Sequence, residues 1–265
     1  MGEGHVTCSV PAQARFAGKR AIVTGAGAGI GRATALRLIR EGARVGLIDR
    51  DPAGIVAVAR QCDRPDDALV LPADCADEES IRAAIDEAAV EIGGLDVVVA
   101  NAGVEYLALE RRVDQADLQV WRRLIQNNLD GQFLTCKYAL RHLLAAGGGS
   151  VVCLGSNVAS LGLARGEPAY SASKGGIHAM MRVMAHDYIR EGIRVNMVVP
   201  GLIDTAMNAP LHDDPEELAY WVGQLPIGRA GTAEECAAAI CWLASDEASY
   251  CVGTALVVDG GQASV

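Results

Sequence analysis

Basic residues are in deficit. Against 33 aspartates and glutamates stand 23 lysines and arginines, which leaves a net charge of -10 and a pI near 5.0. A chain of that balance offers little basic surface, so no nucleic acid partner is expected. Long apolar runs are missing as well. No stretch reaches the length of a membrane span, and residues 1–15 lack the apolar core of a signal peptide. Met1-Gly2 is followed by Val6 where N-myristoylation needs Ser or Thr. The eight cysteines include no C-x-x-C pair and the five histidines no H-E-x-x-H, so no metal is expected. Cys136, Cys153 and Cys241 lie among apolar residues and read as small core hydrophobes of a reducing cytoplasm. No internal repeat and no domain boundary is visible.

What the chain has is apolar content and alternation. Half of its 265 residues are apolar (51%), enough for one large α/β core. Residues 1–15 are aperiodic and read as a flexible tail; residues 16–265 read as a single domain. Short apolar runs of strand type cover 19–24, 43–48, 68–71, 95–100, 150–154, 193–199 and 254–258. Helical patterns separate them: from the glycines after Thr24 to Glu41, Asp51 to Gln61, Asp77 to Ile92, Asp117 to Ala146, Tyr170 to Arg190 and Thr232 to Ala244. Seven strands alternating with helices predict an α/β fold, a doubly wound, Rossmann-like parallel sheet with helices on both faces. Residues 202–231 form a long connection without a clear period. In such sheets ligands bind at the carboxyl ends of the strands. Asp49, Asp74, Asn101, Ser156 and Pro200 all fall at such ends.

The first strand runs into Gly25-Ala-Gly27-Ala-Gly29-Ile30-Gly31 and a helix, and the second strand ends at Asp49, 18 residues after Gly31. Glycines at these positions let the backbone approach a pyrophosphate at the helix N-terminus, where free N–H groups and the helix dipole favour negative charge. A glycine cluster alone is often only a turn. Between a strand and a helix, with an acid at the end of the next strand, it predicts a dinucleotide site.

A second cluster lies between Ser156 and Lys174. Tyr170 and Lys174 are four residues apart, on one face of a predicted helix. A free tyrosine with a pKa of about 10 is a poor base at neutral pH, and an ammonium one turn away favours the phenolate. Lowering that pKa by about three units takes about 4 kcal/mol of differential stabilisation. Ser156, at the end of a strand, brings a hydroxyl to the same point. The three groups together can move a proton on or off an alcohol or carbonyl oxygen. His178 and His186, on the same helix, read as packing or surface residues.

At this point the chain resembles the short-chain dehydrogenase/reductase family in its single-domain form, over roughly residues 16–262. The motifs that carry the resemblance are Thr24-Gly-Ala-Gly-Ala-Gly-Ile-Gly31, Asn101-Ala102-Gly103, Asn128, Ser156, Tyr170-x-x-x-Lys174, and Pro200-Gly201 with Thr205. The resemblance implies that Tyr170 is the catalytic acid/base and that Lys174 lowers its pKa and binds the nicotinamide ribose. It implies that Ser156 positions the substrate oxygen and that Asn128 holds a water in a proton relay. Ile203 and Thr205 are then expected at the carboxamide and pyrophosphate side of the cofactor. Asp74 and Cys75 are expected beside the adenine; the family usually has an aliphatic residue at the place of Cys75. Gly175 and Gly176, poor helix formers, suggest close approach of another helix, and the resemblance implies a subunit interface there and a homotetramer.

The expected function is an NAD-dependent alcohol dehydrogenase or ketone reductase. Two other readings are an NAD-retaining dehydratase or epimerase and a nucleotide-sensing protein with silent chemistry. Asp49 can accept both adenosine ribose hydroxyls and would repel a 2′-phosphate. Ala28 is neutral where NADP-preferring relatives often carry a base; Arg50 is the opposing feature. Leu202, Met207, Leu211, Trp221 and Val222 predict a mouth for a neutral substrate with an apolar body. Asp204, Asp213, Asp214, Glu216 and Glu217 would repel anions, and Glu105 and Tyr106 are expected at the same mouth.

Overall fold

The computed structural model describes residues 14–106, 108–161, 166–208, 211 and 213–264. Its strands in chain order are β1 (Arg20–Thr24), β2 (Arg44–Asp49), β3 (Ala68–Pro72), β4 (Val97–Ala100), β5 (Gly149–Leu154), β6 (Ile193–Pro200), β7 (Ile203–Asp204), β8 (Gly231–Thr232) and β9 (Ala255–Val258). Seven of them form one parallel sheet in the order β3-β2-β1-β4-β5-β6-β9. β7 and β8 make a separate parallel pair at one end.

The strands are short and apolar because both faces are covered, as all-parallel sheets require. Alternate residues go to opposite faces. Ile22, Ile48, Val98, Val151 and Met197 pack under α3 (Glu78–Glu91), α5 (Gly131–Ala146) and α7 (Pro168–Tyr188). Val23, Leu47, Val99, Val152 and Val198 pack under α1 (Gly29–Arg40), α2 (Pro52–Gln61) and the last helix, Ala233–Ala244. This is the doubly wound seven-stranded arrangement expected from the alternation.

Side-chain caps start several helices where the sequence places them. Asp51, just before Pro52, accepts from the Ala53 N–H, and Asp77 from the Ser80 N–H. Thr232 and Glu235 form a reciprocal capping box. The predicted helical region from Asp117 is instead three pieces: α4 (Leu118–Leu124), a π-helical turn (Ile125–Asp130) around Asn128, and α5. Local periodicity does not register a π turn, which adds one residue to the helix. A short segment, α6 (Val158–Leu161), follows β5. The long connection contains a helix absent from the sequence reading, α8 (Pro215–Gly223), capped by Asp214; the last helix is α9. No residue of α8 is fully buried, although Leu218, Trp221 and Val222 recur at helical spacing and are half-buried.

Of the predicted tail, residues 1–13 lie outside the described residues. Arg15 belongs to the domain, with a two-point ion pair to Glu41 at 2.7 and 2.9 Å. Gly176 does mark a close approach, but within the chain: a Cβ there would lie 2.9 Å from Leu129 of the π turn. Gly175 faces open space. His186 is at the surface, and His178 is half-buried with a buried Nε2 that has no hydrogen-bond partner among the described residues.

At the opposite edge of the sheet from its carboxyl ends, Arg20 on β1 grips Asp96, just before β4. The bonds are Nε to Oδ2 at 2.8 Å and Nη2 to Oδ1 at 2.7 Å, with the Arg20 backbone N–H also donating to Oδ2. These bonds hold the Asp96 carboxyl below its usual range. A depressed carboxyl pKa stabilises the fold above the unfolded value near 4, and that stabilisation is lost as pH falls through the folded value. We predict that Asp96→Asn costs about 1–2 kcal/mol at pH 7, because the pair is partly exposed. Urea titrations at pH 7 and pH 3 will check this: the gap between variant and wild type should narrow at the lower pH.

Candidate active site

The crevice opens where the sheet order reverses, between β1 and β4. Thr24 closes the gap. Its buried hydroxyl accepts from the N–H groups of Asn101 (3.1 Å) and Ala102 (3.2 Å). The Asn101 amide reaches back to the carbonyl oxygens of Thr24 (2.9 Å) and Gly25 (3.3 Å). The glycine loop is thereby clamped to the end of β4.

Within the loop two glycines are required by geometry. Gly25 has φ +67°, and a Cβ there would lie 2.8 Å from the Asn101 amide nitrogen. A Cβ on Gly31 would collide with the carbonyl oxygen of Gly25. Ala28, at the N-cap of α1, has no side chain that can bond the first-turn N–H groups, and no acidic residue lies in that turn. An anion can therefore take those donors. Asp49 points at the loop: its Oδ2 accepts from the Gly27 N–H at 2.9 Å and its Oδ1 from Asp51 at 3.0 Å. These features fit a dinucleotide, with its pyrophosphate at α1 and its adenosine ribose at Asp49.

Two adjoining cavities run along the crevice. The larger, about 250 Å³, is lined by Gly25, Gly29, Ile30, Asp49, Asn101 and Gly103 on one side, and by Pro200, Ile203 and Thr205 on another. Ser156, Tyr170 and Lys174 face it. The smaller, about 180 Å³, shares Gly25, Asp49 and Gly103 and adds Asp74, Cys75, Ala102, Arg50 and Asn127. Gly27, Gly31 and Asn128 line neither. Gly27 and Gly31 act on the shape of the loop from behind it.

Asn128 is fully buried, and its side chain is spent on the segment after β4. Its Oδ1 accepts from the Val104 N–H at 2.7 Å; its amide donates to the Val104 carbonyl at 2.9 Å and to Ser173 at 3.2 Å. Both amide hydrogens are used, so the side chain is a clamp on the loop.

The cluster of Ser156, Tyr170 and Lys174 is drier than the sequence suggests. Tyr170 and Lys174 are both buried, at 8% and 3% exposure. The Lys174 Nζ lies 5.6 Å from the centre of the Tyr170 ring and donates to the Leu154 carbonyl at 3.1 Å. Gln132, one turn beyond Asn128, donates to the same carbonyl at 3.0 Å. Burial pushes the Tyr170 phenol well above its ordinary value, Glu105 adds to this, and a hydrogen bond from Ser156 opposes it. Burial brings Lys174 down to about 8 against the pull of Glu105. Desolvation is the largest influence on each group and favours the neutral form of both.

Several wall residues went unnoticed in the sequence. Asn157 donates to Gln262 at 2.7 Å and ties the segment after β5 to the C-terminal turn. Asn157, Val158, Asn208 and Gln262 all line the larger cavity. Of the predicted mouth, Leu202, Met207, Trp221 and Glu105 line it; Leu211, Val222 and Tyr106 do not. Tyr106 packs instead beside Leu124, with the Arg123 guanidinium 5.7 Å from its ring. Asp204, Asp213, Asp214, Glu216 and Glu217 are not in the wall either. Among the described residues no group of three His, Cys, Asp or Glu side chains could hold a metal ion.

Comparison with known proteins sets this geometry in context. A family model described as enoyl-(acyl carrier protein) reductase matches residues 25–263. The chain is 43% identical over 251 residues to cis-4-hydroxycyclohexanecarboxylate dehydrogenase of Sinomonas cyclohexanicum, covering 94% of this chain and 98% of the relative. It is 35% identical over 253 residues to glucose 1-dehydrogenase of Gluconobacter oxydans (strain 621H), covering 95% and 94%. A crystal structure of a short-chain type dehydrogenase/reductase from Mycobacterium marinum superposes with a TM-score of 0.86 at 32% identity, covering 93% of this chain and 96% of that one.

Proposed function

The chain belongs to the short-chain dehydrogenase/reductase family, and from that premise we propose an NAD-dependent alcohol dehydrogenase/ketone reductase with Tyr170 as its acid/base. The observation that carries this reading is the convergence of Tyr170, Ser156 and Lys174 on one cavity wall, opposite the glycine loop and Asp49. The bound dinucleotide supplies the hydride acceptor or donor. The protein must orient it and handle one proton. Ser156 and Tyr170 hold the substrate oxygen, and Tyr170 gives or takes its proton. The neutral phenol suits protonation of a carbonyl oxygen. In the direction of alcohol oxidation, the Ser156 hydrogen bond and nearby positive charge must offset burial. Lys174 stands beside Gly103, where it can reach a ribose. Asn128 contributes by holding Val104. The complete set of four argues against a silent nucleotide sensor.

A neutral substrate with an apolar body fits the wall. Leu202, Met207 and Trp221 supply apolar surface, and Glu105 supplies negative charge. Among the described residues Lys174 is the one lysine or arginine in that wall. The relatives' names span a hydroxycyclohexane acid and a sugar, so the substrate itself is sought with a panel of secondary alcohols. We place the protein in the cytoplasm: the seven described cysteines are free thiols, six of them buried, as a reducing compartment allows. No helix among the described residues is long and apolar enough to cross a membrane.

NADH production from the panel tests the proposal. Tyr170→Phe should lower kcat by about 10²–10⁴ while NAD affinity stays within a few fold; a variant keeping over a tenth of wild-type kcat removes Tyr170 from the role. Lys174→Ala should weaken NAD binding as well as turnover, read by fluorescence titration.

We further propose a homotetramer. Support comes from the family and from exposed apolar side chains on α4 and α5, including Leu118, Trp121 and Phe133. Light scattering at micromolar concentration is expected to give four times the chain mass.

The choice of NAD over NADP rests on Asp49. Its carboxylate is held toward the loop by two backbone N–H groups, so a 2′-phosphate would meet it rather than Arg50 alone. Like charges about 4 Å apart cost about 1 kcal/mol in water-like surroundings and about 4 kcal/mol at an effective dielectric near 20. Asp49→Ala should erode the preference, chiefly by raising kcat/KM for NADP. Paired kcat/KM values on one alcohol will check it; equal values in the unmutated enzyme would exclude the NAD assignment.

A further inference from the structure

The helix that carries Tyr170 has no cap of its own. Its N-cap residue, Glu167, makes no side-chain cap bond, and its first residue, Pro168, has no N–H to offer. The first backbone bond of the helix is from the Ser171 N–H to the Glu167 carbonyl. Two donors are left over, the N–H groups of Ala169 and of Tyr170 itself. Both go to one carboxylate from about 60 residues earlier in the chain. Glu110 Oε1 accepts from Ala169 at 2.9 Å and Oε2 from Tyr170 at 3.2 Å.

Glu110 is 6% exposed and is itself held in place. Its N–H donates to the Tyr106 carbonyl at 3.1 Å, and the Arg111 guanidinium returns to the Glu110 carbonyl at 2.7 Å. The next residues press on the start of the helix, since a Cβ on Gly166 would lie 3.1 Å from the Arg112 nitrogen. At its other end this same segment is clamped by Asn128 through Val104. Glu105, a cavity-wall residue, lies between the two clamps. A carboxylate at a helix N-terminus is favoured by the free N–H groups and by the dipole. Two bonds from one rigid group also fix the rotation of the first turn about the helix axis. Tyr170 is the third residue of that turn, so this rotation sets where its phenol points.

We propose that Glu110 is the positioning residue for Tyr170, holding the first turn of α7 so that the phenol stays at the Ser156 hydroxyl. The inference rests on the acid/base reading of Tyr170. Misplacing a reacting group by about 1 Å can cost on the order of 10²-fold in rate. Glutamine at 110 keeps the size of the side chain. It replaces one acceptor oxygen with an NH₂ group that faces an N–H, and it removes the charge. Aspartate keeps both acceptor oxygens on a shorter stem.

The test compares wild type, Glu110→Gln, Glu110→Asp and Tyr170→Phe by steady-state kinetics on one responsive alcohol, with thermal melts monitored by circular dichroism. Glu110→Gln should lower kcat about 10- to 100-fold with the KM for NAD within twofold, and Glu110→Asp should recover part of the loss. A second readout is the pH profile of kcat/KM. Tyr170 is faced by Lys174 from its own helix, Ser156 from the end of β5, Glu105 and Glu110 from the segment after β4, and Glu167 before the helix. Removing the Glu110 charge from this set should move the tyrosine's apparent pKa toward acid. Wild-type kcat in Glu110→Gln overturns the inference. So does a loss matched by the folded fraction, or one shared by the KM for NAD, since either marks a merely structural role. If Glu110→Gln does not fold, the KM-against-kcat split in Glu110→Asp decides by the same criterion. An active Tyr170→Phe sinks the acid/base reading itself; an inactive one beside an unaffected Glu110→Gln sinks only the role of Glu110.

Discussion

The tie between Thr24 and Asn101 is the constraint on which the site depends. β1 and β4 are neighbours in the sheet, yet their chains leave it in opposite directions, and that divergence opens the crevice. Strand pairing between them stops at Val23 and Val99. Beyond that point Thr24 and Asn101 bond each other's backbone. The glycine loop is then fixed from one side by Asn101 and from the other by Asp49. Both contacts are short because glycine stands at 25, 27 and 31. The donors at the start of α1 and the carboxylate at the end of β2 become parts of one rigid rim.

A similar logic holds the opposite wall. The segment after β4 is gripped at Val104 by Asn128 and at Glu110 by the N-terminus of α7. Asn128 sits in a π turn, a local widening of the helix that recurs at functional sites. The result is that three distant pieces of chain share one wall. Lys174 and Gln132 meet on the Leu154 carbonyl, which joins the same wall to the end of β5.

Burial decides the electrostatics of this wall. Lys174 and Tyr170 are each pushed toward the neutral form, and Glu105 shifts both in the same direction, raising each. A helix-face argument alone predicts a phenolate favoured by its lysine. In this dry cluster desolvation is the largest effect on each of the two groups. The Ser156 hydrogen bond is the contact that favours the phenolate.

Much of this protein was legible in the amino-acid sequence, because much of it is local. The two faces of the sheet follow from alternation within each strand. The glycine loop with Asp49, and the Tyr170/Lys174 pair, are spacings within one βαβ unit or one helix. Residue type and period set these whatever the rest of the chain does. Other features were decided only by tertiary structure. Glu110 reaches α7 across about 60 residues, and Thr24 reaches Asn101 across 77. No period in the chain records either contact. The helix α8 is short and only half-buried on its Leu218, Trp221 and Val222 face, so it stood out little within the long connection. Gly176 was visible as an anomaly, but its neighbour, Leu129, was not. The protonation preference of Tyr170 likewise required knowing how dry its surroundings are. Spacing places groups on an element; which groups meet, and how much water they lose in meeting, is set only when the elements pack.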